Sequence, residues 1–349
     1  MPVSKRRLLV AGGAGYIGSH MVKQLLRTGY AVTTLDDFST GYRDAVLGGE
    51  LVEGSLADVA LLDSLFAAQH FDAVLHFASF IQVGESVLQP AKYYTNNLTN
   101  TLNLLNAMVK HGVHRFVFSS TAAIFGEPQY APIDEQHPIA PINPYGSSKA
   151  MVEQVLRDYD KAYGLKSVCL RYFNACGADP EGELGERHDP ETHLIPLALQ
   201  AVSGRRGALT VFGSDYDTPD GTCIRDYVHI VDLCQAHVQA LVLLGCGAGF
   251  NPAGGSRDLP PVARPTGEAG NSYAFNLGNG EGFSVAEVIE AVGRVSGRPV
   301  PVIEGPRRAG DPARLVADST LARQVLGWQP QYAELDTIIK HAWAWEMKR

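Results

Sequence analysis

The chain has 349 residues, long enough to bury a large core and to form two domains, and its 45% hydrophobic and 19% charged residues are those of an ordinary soluble globular protein. A net charge of -8 and a pI near 5.8 leave no general basic face for a nucleic acid or an anionic membrane, so any phosphate binding must be local. The five cysteines, Cys169, Cys176, Cys223, Cys234 and Cys246, are odd in number and lack Cys-x-x-Cys spacing, which points to reduced thiols in a cytoplasmic setting and to no structural zinc.

Residues 1–7 are basic and precede an apolar stretch. That stretch breaks at Gly12, which fits a first strand and not a signal peptide, and no run is long enough to span a membrane. Short apolar runs follow at 8–11, 31–35, 73–77, 116–119 and 167–170; being continuous where a one-sided strand would alternate, they predict buried parallel strands. Helical spacing lies between them, at 17–27, 60–68, 97–109 and 147–163. This alternation predicts an α/β fold, a doubly wound parallel sheet whose ligands sit at the carboxyl ends of the strands. Beyond about residue 175 the pattern turns irregular, with loops at 179–189 and 213–221. We expect a dinucleotide-binding domain at 1–175, with later segments near 226–245 returning to it, and a smaller C-terminal α/β substrate domain at 176–349. The latter contains a Gly/Pro-rich insertion, 245–271, which reads as a surface loop because it has too little apolar surface to offset its ordering entropy.

Two motifs carry chemistry. The turn Gly12-Gly13-Ala14-Gly15-Tyr16-Ile17-Gly18 lies between the first strand and the first helix. Its glycines allow a tight bend, a close backbone approach to a pyrophosphate and helix-on-strand packing, and the helix amides then face the phosphates. Asp36 ends the second strand, where an acid binds adenine-ribose hydroxyls and repels a 2'-phosphate, so the expected cofactor is NAD and not NADP. Tyr145 is the only one of 14 tyrosines with a lysine four residues on, Lys149. On a helix the two share a face, and positive charge would favour the phenolate of a group whose free pKa is about 10.

Longer motifs carry a resemblance: GGAGYIGSH at 12–20, HFAS and VGES within 76–86, YYTNN at 93–97, FSST at 118–121, NPYGSSKAMVEQ at 143–154, LRYFNACGA at 170–178, HLIP at 193–196, FGSDYDTPDGTCIRDYVHIVDL at 212–233 and RRAGDPARLVAD at 307–318. The chain resembles the extended short-chain dehydrogenase/reductases, which have a Rossmann-like fold, and within them the UDP-glucose (UDP-galactose) 4-epimerases. The resemblance implies that Tyr145 is the acid/base, that Lys149 binds the nicotinamide ribose and lowers the phenol pKa, and that Thr121 bonds the sugar 4-oxygen. It implies cofactor contacts from Gly12, Gly15, Tyr16, Ile17, Gly18, Asp36, Ser55, Leu56, Phe77, Ala78, Ser79, Ile81, Asn96, Ser119, Tyr145, Lys149 and Phe173. Nucleotide-sugar contacts would come from Thr121, Tyr145, Asn174, His193, Leu194, Thr210, Phe212, Arg225, Arg308, Asp311 and Leu315. The two arginines suit a UDP diphosphate on an acidic protein, because a guanidinium bonds phosphate oxygens bidentately.

The implied reaction is oxidation of a UDP-hexose at C4 by NAD, turning of the 4-keto sugar, and return of the hydride to its other face. The family's usual aspartate is Ser55 here and a common lysine is Ile81, both of which weaken the expected hold on NAD. His193 replaces an asparagine and is treated as a neutral substitute; with His188 it is too isolated from other ligand types to suggest a metal. A 4,6-dehydratase would need Asp-Glu after Thr121, where this chain has Ala122-Ala123. A non-catalytic NAD-sensing protein would tend to lose the Tyr-Lys pair. Leu315 stands at the position that sizes the pocket against N-acetyl sugars, which leaves the N-acetylated UDP-hexoses as an alternative substrate class. Apolar residues Leu98, Leu102, Met151 and Val155 exceed what one sheet-facing stripe needs and point to a homodimer.

Overall fold

The computed structural model describes residues 5–247, 272–308 and 311–349. Most of the expected insertion at 245–271 therefore lies outside the described residues. The first half runs β1 (Arg7–Ala11), α1 (Tyr16–Arg27), β2 (Ala31–Asp36), β3 (Glu50–Glu53), α2 (Val59–Ala68), β4 (Ala73–His76), α3 (Val83–Leu88), α4 (Pro90–Tyr93), α5 (Asn100–Lys110), β5 (Arg115–Thr121), α6 (Pro144–Tyr163) and β6 (Lys166–Tyr172). The second half runs β7 (Asn174–Cys176), α7 (Leu194–Ser203), β8 (Leu209–Phe212), β9 (Ile224–Arg225), β10 (Tyr227–His229), α8 (Ile230–Leu243), β11 (Tyr273–Leu277), β12 (Phe283–Ser284), α9 (Val285–Ser296), β13 (Val302–Gly305), β14 (Arg314–Leu315), α10 (Thr320–Val325) and α11 (Leu335–Glu346).

Seven strands form one sheet in the order β11-β6-β5-β4-β1-β2-β3, with every pairing parallel. Both faces are covered, which is why β1, β4, β5 and β6 are almost wholly buried and read as continuous apolar runs. One face packs against α1, α8 and α10, and the other against α2, α5 and α6. Each fully buried leucine or phenylalanine there contributes about 1.5–3 kcal/mol relative to exposure. A third core lies away from the sheet, among α7, α9 and α11.

Two sheet strands are missing from the sequence reading. β3 is an edge strand whose Glu50 and Glu53 are exposed, so it has no apolar run to find. β11 comes from the irregular half and pairs with β6, whereas the 230–243 segment supplies the helix α8, packed against α1. The helix expected at 97–109 also starts differently: a π-helical turn covers Tyr94–Thr99 before α5. Strand order reverses between β1 and β4, which opens the sheet's carboxyl edge at Gly12 and Phe77. No described helix is long and apolar enough to cross a membrane, and all five cysteines are free and buried.

Candidate active site

A cleft opens at that reversal point. Of the predicted cofactor residues, Gly12, Gly15, Asp36, Ser55, Leu56, Phe77, Ala78, Ser79 and Asn96 line it together. Gly12 has φ +79°, and a Cβ there would fall 2.4 Å from Ala78 N; a Cβ on Gly18 would fall 2.0 Å from Gly12 O. These two glycines are fixed by protein packing. Gly15 is not: its Cβ would meet no protein atom nearer than Gly12 O at 3.6 Å. That open space over the start of α1 fits the close approach of a phosphate to helix amides, so the residues present fit a dinucleotide.

Asp36 braces the turn. Its Oδ2 accepts from Ala14 N at 2.8 Å and its Oδ1 from Phe38 N at 2.9 Å. Burial raises its pKa and the two amide bonds oppose that shift. Each oxygen keeps lone-pair capacity for a ribose hydroxyl. Ser55 sits on the cleft wall, where its Oγ accepts from Ala57 N at 3.3 Å, whereas Ile81, next to Phe80 in sequence, is 38% exposed and does not line the cleft. Tyr16 and Ile17 pack on the core, and the Tyr16 hydroxyl donates to Gly177 O at 2.7 Å.

Phe80, within the expected 77–81 contact segment, also lines the cleft, whereas Asp37, Ser39 and Thr40 escaped the sequence reading. These three follow the carboxyl end of β2, a location that by itself marks ligand contact in this fold class. Asn97 was also missed. In the π-turn it is buried, accepts from Phe80 N at 2.9 Å, and donates to Phe80 O at 3.0 Å and Ser148 Oγ at 3.2 Å, so it fixes the Phe80 loop to α6. A π-turn makes this possible by rotating Asn96 toward the cleft while Asn97 turns inward.

The second cluster is held by α6. Asn143 caps the helix by accepting from Gly146 N at 2.8 Å, with Pro144 in its first turn. A Cβ on Gly146 would lie 2.4 Å from Ala123 O, so this glycine lets the helix start press on the segment after Thr121. Tyr145, Lys149 and Thr121 are all buried there. Lys149 Nζ donates 2.8 Å bonds to Ser79 Oγ and Ser119 O and lies 4.7 Å from the centre of the Phe118 ring. The expected lowering of the phenol pKa by the lysine is not what the structure has. Burial raises the Tyr145 pKa, opposed by a hydrogen bond with Thr121, and burial draws Lys149 down to about 7. At neutral pH such a lysine is about half protonated, so its charge is reduced but not lost, and Glu153 beneath it opposes the loss.

Beneath this cluster Glu153 accepts from Ser120 Oγ at 2.6 Å and from Arg171 at 3.0 and 2.6 Å, a buried bidentate pair joining α6 to β5 and β6.

The predicted substrate residues come from three places. In register, Leu315 of β14 pairs with Arg225 of β9, while Thr210 and Phe212 of β8 pair with Ile303 and Gly305 of β13. Arg225 bonds the Asp311 carboxylate, and Arg308 stacks on Phe212 with its guanidinium carbon 4.0 Å from the ring centre. Leu315 and Phe173 pack on Ala122, Ile124 and Phe125, the turn directly after Thr121. Asn174 Nδ2 donates to Asp226 O at 3.0 Å, and Leu194 opens α7 directly after His193.

The isolation expected for His188 and His193 is overturned. Glu186 and Glu191 face both imidazoles, a pairing hidden in sequence because it needs the loop to fold on itself. Burial opposes the charged imidazoles, but the carboxylates outweigh it and raise His188 to about 9 and His193 to about 10.

Residues 8–246 match the NAD dependent epimerase/dehydratase family. The chain is 48% identical to a UDP-glucose 4-epimerase of Halalkalibacterium halodurans over 97% of its length and 95% of the relative's. It is 50% identical to one from Rhizobium leguminosarum bv. trifolii over 98% and 97% of the two chains. Among solved structures, UDP-glucose 4-epimerase from Brucella ovis in complex with NAD superposes with a TM-score of 0.88 at 47% identity, covering 97% of each chain. The Bifidobacterium longum enzyme in complex with NAD+ and UDP does so with a TM-score of 0.86 at 36% identity, covering 98% of each.

Proposed function

This chain belongs to the NAD dependent epimerase/dehydratase family, and on that footing we propose that it is a UDP-glucose 4-epimerase, interconverting UDP-glucose and UDP-galactose through a transient 4-keto sugar. The observation that carries the reading is Lys149 Nζ bonded to both Ser79, in the dinucleotide cleft, and Ser119, on the strand that ends at Thr121. One buried cation thereby joins the cofactor cradle to the acid/base cluster. NAD, when bound, supplies a reversible hydride acceptor for C4 of the hexose.

The chain's own residues do the rest. Tyr145 takes the 4-hydroxyl proton and returns it, and Thr121, already its hydrogen-bond partner, holds the 4-oxygen. Arg225, Arg308 and Asn174 hold the UDP, so the sugar can turn while the nucleotide stays. Binding energy placed in this remote group keeps the intermediate in the site. Leu315, packed on the turn after Thr121, borders the sugar and limits room at its 2-position. The protein acts in the cytoplasm as a homodimer paired through the π-turn, α5 and α6, where Met151 is 44% exposed and Leu98, Leu102 and Val155 are partly exposed. Sedimentation at micromolar concentration should give the dimer mass; a monomer would refute that part.

The test of the reaction is addition of UDP-glucose to the purified protein, with UDP-galactose formation and reduced-nicotinamide absorbance as readouts. Tyr145→Phe should keep bound NAD and lose about 100- to 10,000-fold in rate. Near-normal turnover by that variant would remove Tyr145 from the chemistry.

A further inference from the structure

The loop between β7 and α7 contains Glu186-x-His188-x-x-Glu191-x-His193. One ligand atom from each of these four side chains lies within 4.8 Å of the other three. From Glu186 Oε1 the distances are 2.6 Å to His193 Nδ1 and 3.1 Å to His188 Nδ1; from Glu191 Oε1 they are 3.5 Å and 3.7 Å. A tetrahedral ion with bonds of about 2.0–2.2 Å spaces its ligand atoms about 3.3–3.6 Å apart. Three of the four distances lie close to that range, and the fourth, 2.6 Å, is a hydrogen bond between His193 and Glu186 that a bound ion would replace.

Ion pairing alone leaves two atoms unexplained. His188 Nδ1 is buried and, despite its 3.1 Å approach to Glu186, lacks the alignment of a hydrogen bond. Glu191 Oε2 is buried with no hydrogen-bond partner, on a side chain only 3% exposed. A buried carboxylate oxygen without a donor costs stability that a bound cation would restore. An ion binding here displaces the two imidazole protons; the two carboxylates then balance a divalent charge, and two neutral imidazoles favour a borderline metal over magnesium or calcium. The nearby acidic group Asp179, Glu181 and Glu183 is different, because Lys23 already bonds all three carboxylates.

We propose that Glu186, His188, Glu191 and His193 bind one divalent transition-metal ion of the zinc class. Four protein ligands leave no open position, so the ion is structural. It ties the 186–193 loop to the start of α7 and, through the Tyr16 ring 6.1 Å from His188, braces that loop against the glycine turn.

The experiment is a zinc titration of the full-length protein after treatment with a chelator, read by metal analysis and by thermal unfolding. One zinc per chain and a raised Tm are expected, with no gain from magnesium, and cobalt should give the visible absorption of a tetrahedral ion. His188→Ala and Glu191→Gln should each weaken zinc binding by about tenfold or more and remove the Tm gain. Glu191→Gln preserves shape, so it reads the site even if His188→Ala does not fold; circular dichroism checks both. Failure of the wild type to bind zinc at micromolar concentration overturns the proposal, as does wild-type affinity in the folded variants.

Discussion

The cofactor cleft is built from backbone amides and strand ends, whereas the proposed sugar-nucleotide site is built from long side chains already engaged with protein partners. Gly12 and Gly18 are locked by contacts with Ala78 and Gly12 itself, and Asp36 is held by two amides. In the proposed sugar-nucleotide site, Arg225 bonds Asp311, and Arg308 lies on Phe212. An amide has no rotamer to lose, so the cofactor side is organised before binding. An arginine must exchange a partner and give up side-chain freedom to grip a phosphate. On the proposed assignment, the fold itself secures the cofactor, while hold on the sugar nucleotide depends on replaceable contacts.

The sharpest way to break this contrast is through the buried pair under the acid/base cluster. Removing Glu153 leaves Arg171 charged and unpaired in the core, so Glu153→Ala should destabilise by about 3–5 kcal/mol in denaturant unfolding. A loss under about 1 kcal/mol would mean that water reaches Arg171 and that the cluster's floor is not rigid. Lys149 gives a pH test of the same rigidity. Burial lowers its folded pKa to about 7, so between pH 7 and its unfolded value the unfolded chain binds the extra proton, and this group's contribution to stability rises with pH. Relative to Lys149→Met, the wild type should gain about 2–3 kcal/mol from pH 7 to pH 9. Parallel curves for the two proteins would show that the lysine is not desolvated.

On the sugar side, Arg225→Ala should remove the proposed charged bond to phosphate, worth about 1.5–3 kcal/mol, and raise KM for UDP-glucose with little change in bound NAD. Loss of NAD instead would erase the distinction between the two sides. The smallest effect belongs to Leu315. A change in pocket size is worth only about 1–3 kcal/mol, so Leu315→Ser should improve, and Leu315→Tyr reduce, kcat/KM for the N-acetylated UDP-hexoses relative to UDP-glucose. An unchanged ratio in both variants would show that Leu315 does not border the sugar.

The sequence by itself determined the parts of this protein that repeat a local rule. Continuous apolar runs mark β1, β2, β4, β5 and β6 because a strand covered on both faces has no polar side. The glycine turn and the Tyr145/Lys149 spacing are legible because each is set within a few residues along one chain segment. Only the tertiary structure decided the rest. β3 is an exposed edge and β11 gains its place solely by pairing with β6, so neither has a local pattern of its own. The Tyr145 phenol and Lys149 titrate as they do because burial, which depends on every neighbour, outweighs their one-turn spacing. Glu186 and Glu191 met His188 and His193 for the same reason: in sequence they are four separate polar residues of a loop, and the fold, by turning that loop on itself, brings their charges within 4.8 Å.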